Sequence, residues 1–126
     1  GARKDAEKIL RKIDMLHSFK SNELKDLASY LVEAKYGHGD TIIKEGETGD
    51  SLFIILPGGS CQTVRTTDDG TSTTSKLNGG DFFGDEILKG KRYLSTVTST
   101  NKCSCFILQK SDVKRVIGGK RTSNMA

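Results

Sequence analysis

No stretch of the chain approaches the roughly 20 apolar residues that a helix needs to cross a bilayer. The apolar segment Phe53-Ile54-Ile55-Leu56 reads as a short buried strand, so no membrane span is expected. The opening residues Gly1-Ala2-Arg3-Lys4-Asp5-Ala6-Glu7-Lys8 are charged, which argues against a secretory signal; with no initiating Met the chain reads as a fragment or a processed form. Cysteine is scarce: Cys61, Cys103 and Cys105 form an odd set without Cys-x-x-Cys spacing. A metal site would want four ligands, and only His17 and His38 could join the cysteines, from distant places. No metal and no cofactor are expected, and the three cysteines read as small buried side chains in a reducing cytosol. A kinase catalytic loop and a Gly-rich ATP loop are both missing, so the chain itself is not expected to be an enzyme.

A length of 126 residues suits one hydrophobic core and is too short for two; 34% hydrophobic and 29% charged residues are ordinary for a soluble domain. The net charge of +4 is spread over short clusters (Lys8, Arg11 and Lys12; Lys89, Lys91 and Arg92; Lys110, Lys114, Arg115, Lys120 and Arg121), which read as solvated faces. No recognition motif accompanies them, and no nucleic-acid partner is expected.

Periodicity divides the chain. Ile9, Ile13 and Leu16 stand at helical spacing within Asp5 to His17. Ser21 reads as an N-cap with Glu23 in the positive first turn, followed by the stripe Leu24, Leu27, Ala28, Leu31 and Val32, which Gly37 and Gly39 end. From Gly39 the period changes: Thr41–Ile43, Leu52–Leu56, Ser60–Thr66, Thr73–Leu77, Leu94–Thr100 and Lys102–Leu108 are short, β-branched and separated by Gly, Asp or Asn. Asp69-Gly70 predicts a tight hairpin turn. Ser111-Asp112 caps a last helix through Val113, Val116 and Ile117, expected to stop at Gly118-Gly119 before a frayed tail at 120–126. The expected fold is α+β: an antiparallel, jelly-roll-like β-roll over 39–109, two N-terminal helical segments (the first within residues 1–20), a short helix within residues 80–97, and a C-terminal helix ending a single domain at 1–119.

Two stretches carry more than a fold. Gly39-Asp-Thr-Ile-Ile-Lys-Glu-Gly-Glu-Thr-Gly-Asp-Ser-Leu-Phe-Ile-Ile resembles the opening strands of cyclic-nucleotide-binding domains. Gly80-Asp81-Phe82-Phe83-Gly84-Asp85-Glu86-Ile87-Leu88, with Lys89-Gly90-Lys91-Arg92-Tyr93-Leu94-Ser95-Thr96-Val97, resembles that family's phosphate-binding cassette: Phe-Gly-Glu, a short helix, a variable loop, then Arg before small residues. The resemblance covers Phe19 to Gly119 and is nearest in flavour to the cGMP-dependent protein kinases, where Ile87-Leu88-Lys89-Gly90 and Ile117-Gly118-Gly119 find similar spacing. Some protozoan forms of that kinase carry four such domains, one with a decayed cassette, and the chain is similar to such a copy.

The resemblance implies a cytoplasmic regulatory module whose partners are the neighbouring regulatory and Ser/Thr kinase domains of a parent chain and whose candidate ligand is cGMP. It points to Gly84, Asp85, Glu86, Ile87, Leu88, Arg92, Leu94, Ser95 and Thr96 as the nucleotide-binding positions. Backbone N–H groups around Glu86 to Leu88 would meet the phosphate, and the Ser95 hydroxyl a guanine amino group. Asp85 stands where the family has Glu, one methylene longer, so its oxygens fall ~1.5 Å short of a ribose hydroxyl. Leu94 stands at the family's Arg in a gapless alignment, and Thr96 at an Ala. Arg92 could replace the lost guanidinium only through a loop shift of roughly 6–7 Å and otherwise is a solvated loop charge. Tyr93 is left between purine stacking and exposure, while Phe82 and Phe83 are assigned to core and corner packing. The expectation is therefore a structural or allosteric relay with weak or lost cGMP binding; the competing reading is a competent cGMP sensor. By the same resemblance, the chain stops before most of the helix that commonly covers the ligand. A cupin-like enzyme would need more histidines than two, and a transcription regulator would need a helix-turn-helix for which no residues remain.

Overall fold

The computed structural model describes residues 1–125, with side chains described as far as residue 119. Ala6 and Leu10 are the buried residues of α1 (Ala2–Leu10). The helix expected through His17 ends there, giving way to a 3₁₀ turn at Asp14–Leu16. The reason lies in a spacing of three: Leu10, Ile13, Leu16 and Phe19 are all buried. Their backbones are linked by i to i+3 bonds (Ile13 N–H to Leu10 O 3.1 Å, Leu16 N–H to Ile13 O 2.8 Å, Phe19 N–H to Leu16 O 3.0 Å). A 3.6-residue period would rotate one of these four side chains outward; 3₁₀ turns keep all four in the core.

Helix α2 spans Ser21–Ser29 and buries Leu24, Leu27 and Ala28. Ser21 is its first helical residue rather than the expected N-cap, which is Lys20; the Glu23 carboxylate accepts the Lys20 N–H at 2.7 Å. The predicted helical stripe ran on to Val32, but Val32 is 63% exposed and opens strand β1 (Val32–Tyr36). The alternating stretch Val32-Glu33-Ala34-Lys35-Tyr36 pairs along its whole length with Cys103–Ile107, and this ladder outweighs the local helical pattern. Arg3 seals the end of α2, donating to Ala28 O at 3.0 Å and Leu31 O at 2.7 Å while its guanidinium lies 5.1 Å from the Phe106 ring centre.

The remaining strands are β2 (Thr41–Ile43), β3 (Ser51–Ile55), β4 (Ser60–Thr66), β5 (Ser72–Asn78), β6 (Phe82–Phe83), β7 (Thr96–Ser99) and β8 (Cys103–Gln109). Among the described residues they form two antiparallel four-stranded sheets, ordered β1-β8-β3-β6 and β2-β7-β4-β5. With the helices this is the expected α+β roll. Strand β7 begins two residues later than predicted, leaving Leu94 and Ser95 in the preceding loop. The β4–β5 hairpin turns at Asp69-Gly70 as predicted: Gly70 takes φ +86 and donates to Thr67 O at 2.9 Å. Hydroxyl bonds from Thr67 and Thr71, and the Thr71 N–H, hold the Asp69 carboxyl down to about 2.

Two buried clusters result. One joins the helices to the outer face of β3 and β8, through Leu24, Leu27, Leu52, Ile54 and Leu108; the other fills the roll with Phe53, Ile55, Phe83, Ile87 and Val97. The three free cysteines lie in the roll cluster, with Cys103 Sγ 3.8 Å from Cys61 Sγ and 3.9 Å from Cys105 Sγ. Burial pushes the Cys61 thiol up to about 12 and the Cys105 thiol higher still, so both stay protonated and unreactive at neutral pH. Helix α3 (Lys110–Met125) starts one residue before Ser111, which therefore does not cap it, and runs through Gly118-Gly119 into the segment expected to fray. Ala126, the last residue of that expected tail, lies outside the described residues.

Candidate functional site

The cassette begins where β6 leaves the roll. Phe83 is stacked on Phe53 with ring centres 5.0 Å apart, and four residues later Ile87 is buried in the same cluster. Between these anchors the chain must turn sharply. Gly84 does so at φ +83, where a Cβ would be strained and would meet Ser51 O and the Tyr93 ring at 3.2 Å. A 3₁₀ helix, Asp85–Lys89, follows and ends at Gly90 with φ +76. Leu88, half-buried, packs against both the roll cluster and the helical cluster, so the cassette touches both bodies of the fold.

The loop from Lys91 to Ser95 returns to β7. Its basic residues are exposed: Arg92 donates to Gly46 O at 3.1 Å, and Lys91 faces solvent. Lys89, also exposed, reaches Asp14 at 3.7 Å. Arg92 thus sits on the rim of the Glu45–Asp50 turn as a solvated loop charge. Tyr93, by contrast, is buried, which corrects the expectation of an exposed or stacking aromatic. Its hydroxyl donates to Ser51 O at 2.7 Å, its N–H donates to Glu47 O at 3.0 Å, and its carbonyl accepts from Gly46 N–H at 2.8 Å. The ring fills the space a Cβ at Gly49 would need, which explains the glycine there. Burial pushes the phenol up, and the Asp50, Glu86 and Glu47 carboxylates push it the same way. A neutral side chain therefore sits where nearby carboxylates disfavour negative charge.

Asp85 and Glu86 are half-buried at the start of the cassette helix. Burial pushes the Asp85 carboxyl up, its own backbone amide opposes this, and Glu86 adds to the rise. Glu86 turns back across the loop, and its Oε2 accepts the Leu94 N–H at 2.9 Å. Thr96 Oγ1 accepts the Glu45 N–H at 3.0 Å, which ties β7 to the turn after β2. Ser95 lines an open cavity of about 520 Å³ with Thr63, Arg65, Thr73 and Ser75.

The nine residues singled out in the sequence are thus contiguous in space but unequal in role. Ser95 lines the open cavity; Asp85 opens the cassette helix, Glu86 and Leu94 are tied to each other across the loop, Ile87 is core, Leu88 a bridge, Gly84 the hinge, Thr96 a strut, and Arg92 is held at Gly46 O. Sequence reasoning missed Tyr93 as a buried clamp and Arg65 as a cation in the cavity. The second had a signal: side chains alternate along β4, so Thr63 and Arg65 share the face of buried Cys61, with Arg65 exposed toward the hairpin end.

Residues 33–119 match the family model described as the cyclic nucleotide-binding domain. The chain is 34% identical over 113 residues to a cAMP-dependent protein kinase regulatory subunit of Debaryomyces hansenii, covering 89% of this chain and 24% of that protein. It is 30% identical to the cGMP-dependent protein kinase, isozyme 1, of Drosophila melanogaster, covering 86% of this chain and 15% of the kinase. The chain therefore spans a quarter or less of these two relatives. Among solved structures it resembles the regulatory subunit of a cAMP-independent protein kinase A from Trypanosoma cruzi, bound to guanosine (TM-score 0.71, 26% identity, 92% of this chain and 42% of that one). The corresponding Trypanosoma brucei subunit, carrying Glu→Ala, Thr→Arg and Val→Ala changes and bound to cAMP in its A site, aligns with TM-score 0.67 and 29% identity over 96% of this chain and 47% of that one. The relatives are mostly regulatory subunits of cAMP-dependent kinases, so the matches reach the kinase regulatory class without singling out the cGMP-dependent type. By its family match and its roll, this chain belongs to the cyclic nucleotide-binding domain family.

Proposed function

We propose that this domain is a relay in the regulatory part of a Ser/Thr protein kinase and that its cassette binds cyclic nucleotides weakly or not at all. The observation that carries the reading is the absence of an inward cation among the described cassette residues: Arg92 is bound to Gly46 O at the rim, and Tyr93 and Leu94 are neutral. A phosphate monoanion taken from water needs charged hydrogen bonds in return, and a guanidinium supplies two in parallel. Charged bonds contribute about 1.5–3 kcal/mol each, so losing such a pair weakens binding by roughly 10²–10⁴-fold. The Trypanosoma brucei variant supports this reading: it carries a Thr→Arg change beside its Glu→Ala and Val→Ala changes and is bound to cAMP.

The relay follows from packing. Leu88 joins the two clusters, and Lys89 reaches Asp14 beside α1, so displacement of the cassette is felt by the helices. Any ligand shifts such an equilibrium only by its differential affinity for the two arrangements. A kinase domain and neighbouring regulatory domains are the partners this reading supplies, and a cytoplasmic location goes with them.

A second reading is favoured by the cavity itself: a guanine-type purine without a phosphate. The Arg65 guanidinium suits the two acceptors on the guanine edge, Ser95 lies in the same cavity, and the Asp85 and Glu86 carboxylates suit ribose hydroxyls rather than phosphate. The trypanosomal neighbour bound to guanosine points the same way. The test is a thermal-shift series on the 126-residue chain with millimolar cGMP, cAMP and guanosine. A bound ligand raises stability by RT ln(1 + [L]/Kd). Small or absent shifts with both cyclic nucleotides are expected. Stabilisation by cGMP indicating submicromolar affinity overturns the relay reading, and stabilisation by guanosine alone favours the second.

A further inference from the structure

The half-buried Glu86 carboxylate stands inside the cassette without a cation. Among the described residues its recorded partner is the Leu94 backbone N–H, 2.9 Å away across the loop. Leu94 lies directly before Ser95, which lines the cavity with Thr63, Arg65 and Thr73. Its N–H belongs to the loop that borders that cavity, one residue from the Ser95 that an anion entering there would meet. The surroundings add to the effect: Asp85 precedes Glu86, the Asp50 and Glu47 carboxylates act on neutral Tyr93 in the same sense, and Lys89, Lys91 and Arg92 are exposed. Lys89 reaches Asp14, and Arg92 is engaged at Gly46 O.

We infer that Glu86 is a specificity-determining residue: its carboxylate acts as a built-in anion on the Leu94 N–H, excluding phosphate-bearing ligands while leaving the cavity open to uncharged nucleosides. The inference rests on the cassette being the ligand site, as proposed above. Two effects act together. The donor is already taken, so an incoming phosphate must displace a charge-assisted bond before forming its own. A second negative charge would also sit within a few ångströms of the first, in a partly buried site where screening is poor. An uncharged ribose meets neither penalty, because a carboxylate is a hydrogen-bond acceptor for its hydroxyls.

The test compares the parent chain with Glu86→Ala and Glu86→Gln by calorimetric titration with cGMP and with guanosine. Glu86→Ala frees the Leu94 N–H and removes the charge; cGMP affinity is expected to rise roughly 10–100-fold while guanosine affinity does not rise. Glu86→Gln keeps an acceptor for that N–H without the charge, so its gain for cGMP is expected to be smaller but in the same direction. The gain should shrink at high salt to the extent that it comes from lost repulsion. A Glu86→Ala chain that stays silent toward cGMP, or gains equally for cGMP and guanosine, overturns the inference; the latter would make Glu86 merely a brace for the loop. Should Glu86→Ala fail to fold by its thermal melt, Glu86→Gln carries the comparison, and absence of any cGMP gain there refutes the proposal. Tight cGMP binding by the parent chain is a separate outcome: it sinks the weak-binding reading whatever the variants do.

Discussion

Replacing Tyr93 by Arg puts a cation into a niche that holds a neutral ring among carboxylates. The phenol hydroxyl donates to Ser51 O at 2.7 Å, and the Asp50, Glu86 and Glu47 carboxylates disfavour a negative charge there. A guanidinium keeps a donor for Ser51 O and gains a carboxylate partner, so its burial is compensated. It also brings the parallel donors that a phosphate needs. At about 1.5–3 kcal/mol per charged bond, two bonds correspond to roughly 10²–10⁴ in affinity. Calorimetry with cGMP should find that gain in Tyr93→Arg and a much smaller one in Leu94→Arg. The gapless sequence comparison favours position 94, but Leu94 meets Glu86 through its backbone N–H, and it is the Tyr93 side chain that is buried behind the loop. A folded Tyr93→Arg chain that gains nothing, or a Leu94→Arg chain that gains more, refutes the reasoning about which position the cation must occupy.

Arg65→Ala should reduce affinity for guanosine by roughly 1–3 kcal/mol and leave adenosine less affected, because the guanidinium suits the guanine edge; equal losses would remove Arg65 from base selection. Since burial raises the Asp85 carboxyl in the folded chain, its contribution to folding is fully present below the ordinary aspartate value and is lost as pH rises through the elevated one. Asp85→Asn should therefore melt above the parent near pH 7, with the difference closing on acidification through that elevated value; a difference that widens on acidification contradicts the sign. Gly118→Ala and Gly119→Ala should each stabilise the chain by about 0.5–1 kcal/mol in denaturant titrations, since both lie inside α3 and a Cβ at either meets nothing within 4 Å. Leu27→Ala removes a fully buried side chain from the helical cluster and should cost about 2–5 kcal/mol.

Much of the roll was legible because its turns are written in residue types with a single mechanical role. Asp69-Gly70 marks the β4–β5 hairpin, and Gly84 supplies the left-handed hinge that swings the chain from β6 into the cassette helix. The helical boundaries were harder to read, for a physical reason. Leu31 and Val32 continue a helical stripe on paper, yet β8 offers Val32–Tyr36 a full antiparallel ladder that no local pattern reports. Leu10, Ile13, Leu16 and Phe19 fit a helix poorly and 3₁₀ turns well, a period of three that a search for 3.6 passes over. At the site, the positions were readable from Phe83-Gly84-Asp85 onward, but side-chain direction was not. Sequence neighbours Arg92 and Tyr93 point to opposite environments, the first to the rim and the second into the fold, because the loop's backbone bonds to Gly46 and Glu47 set which one faces inward. Arg65 comes from a strand distant in sequence and enters the cavity only once β4 is laid beside β7.

The weak-binding claim meets its most direct test in a calorimetric titration of the unmodified chain with cGMP at physiological ionic strength. A dissociation constant in the high micromolar range or weaker, or no detectable heat, is the predicted result for a cassette whose guanidinium lies at the rim and whose inner side chains are neutral or acidic. Nanomolar, cGMP-selective binding would contradict it: Arg92 or the backbone donors would then be holding the phosphate, and the domain would be a working sensor.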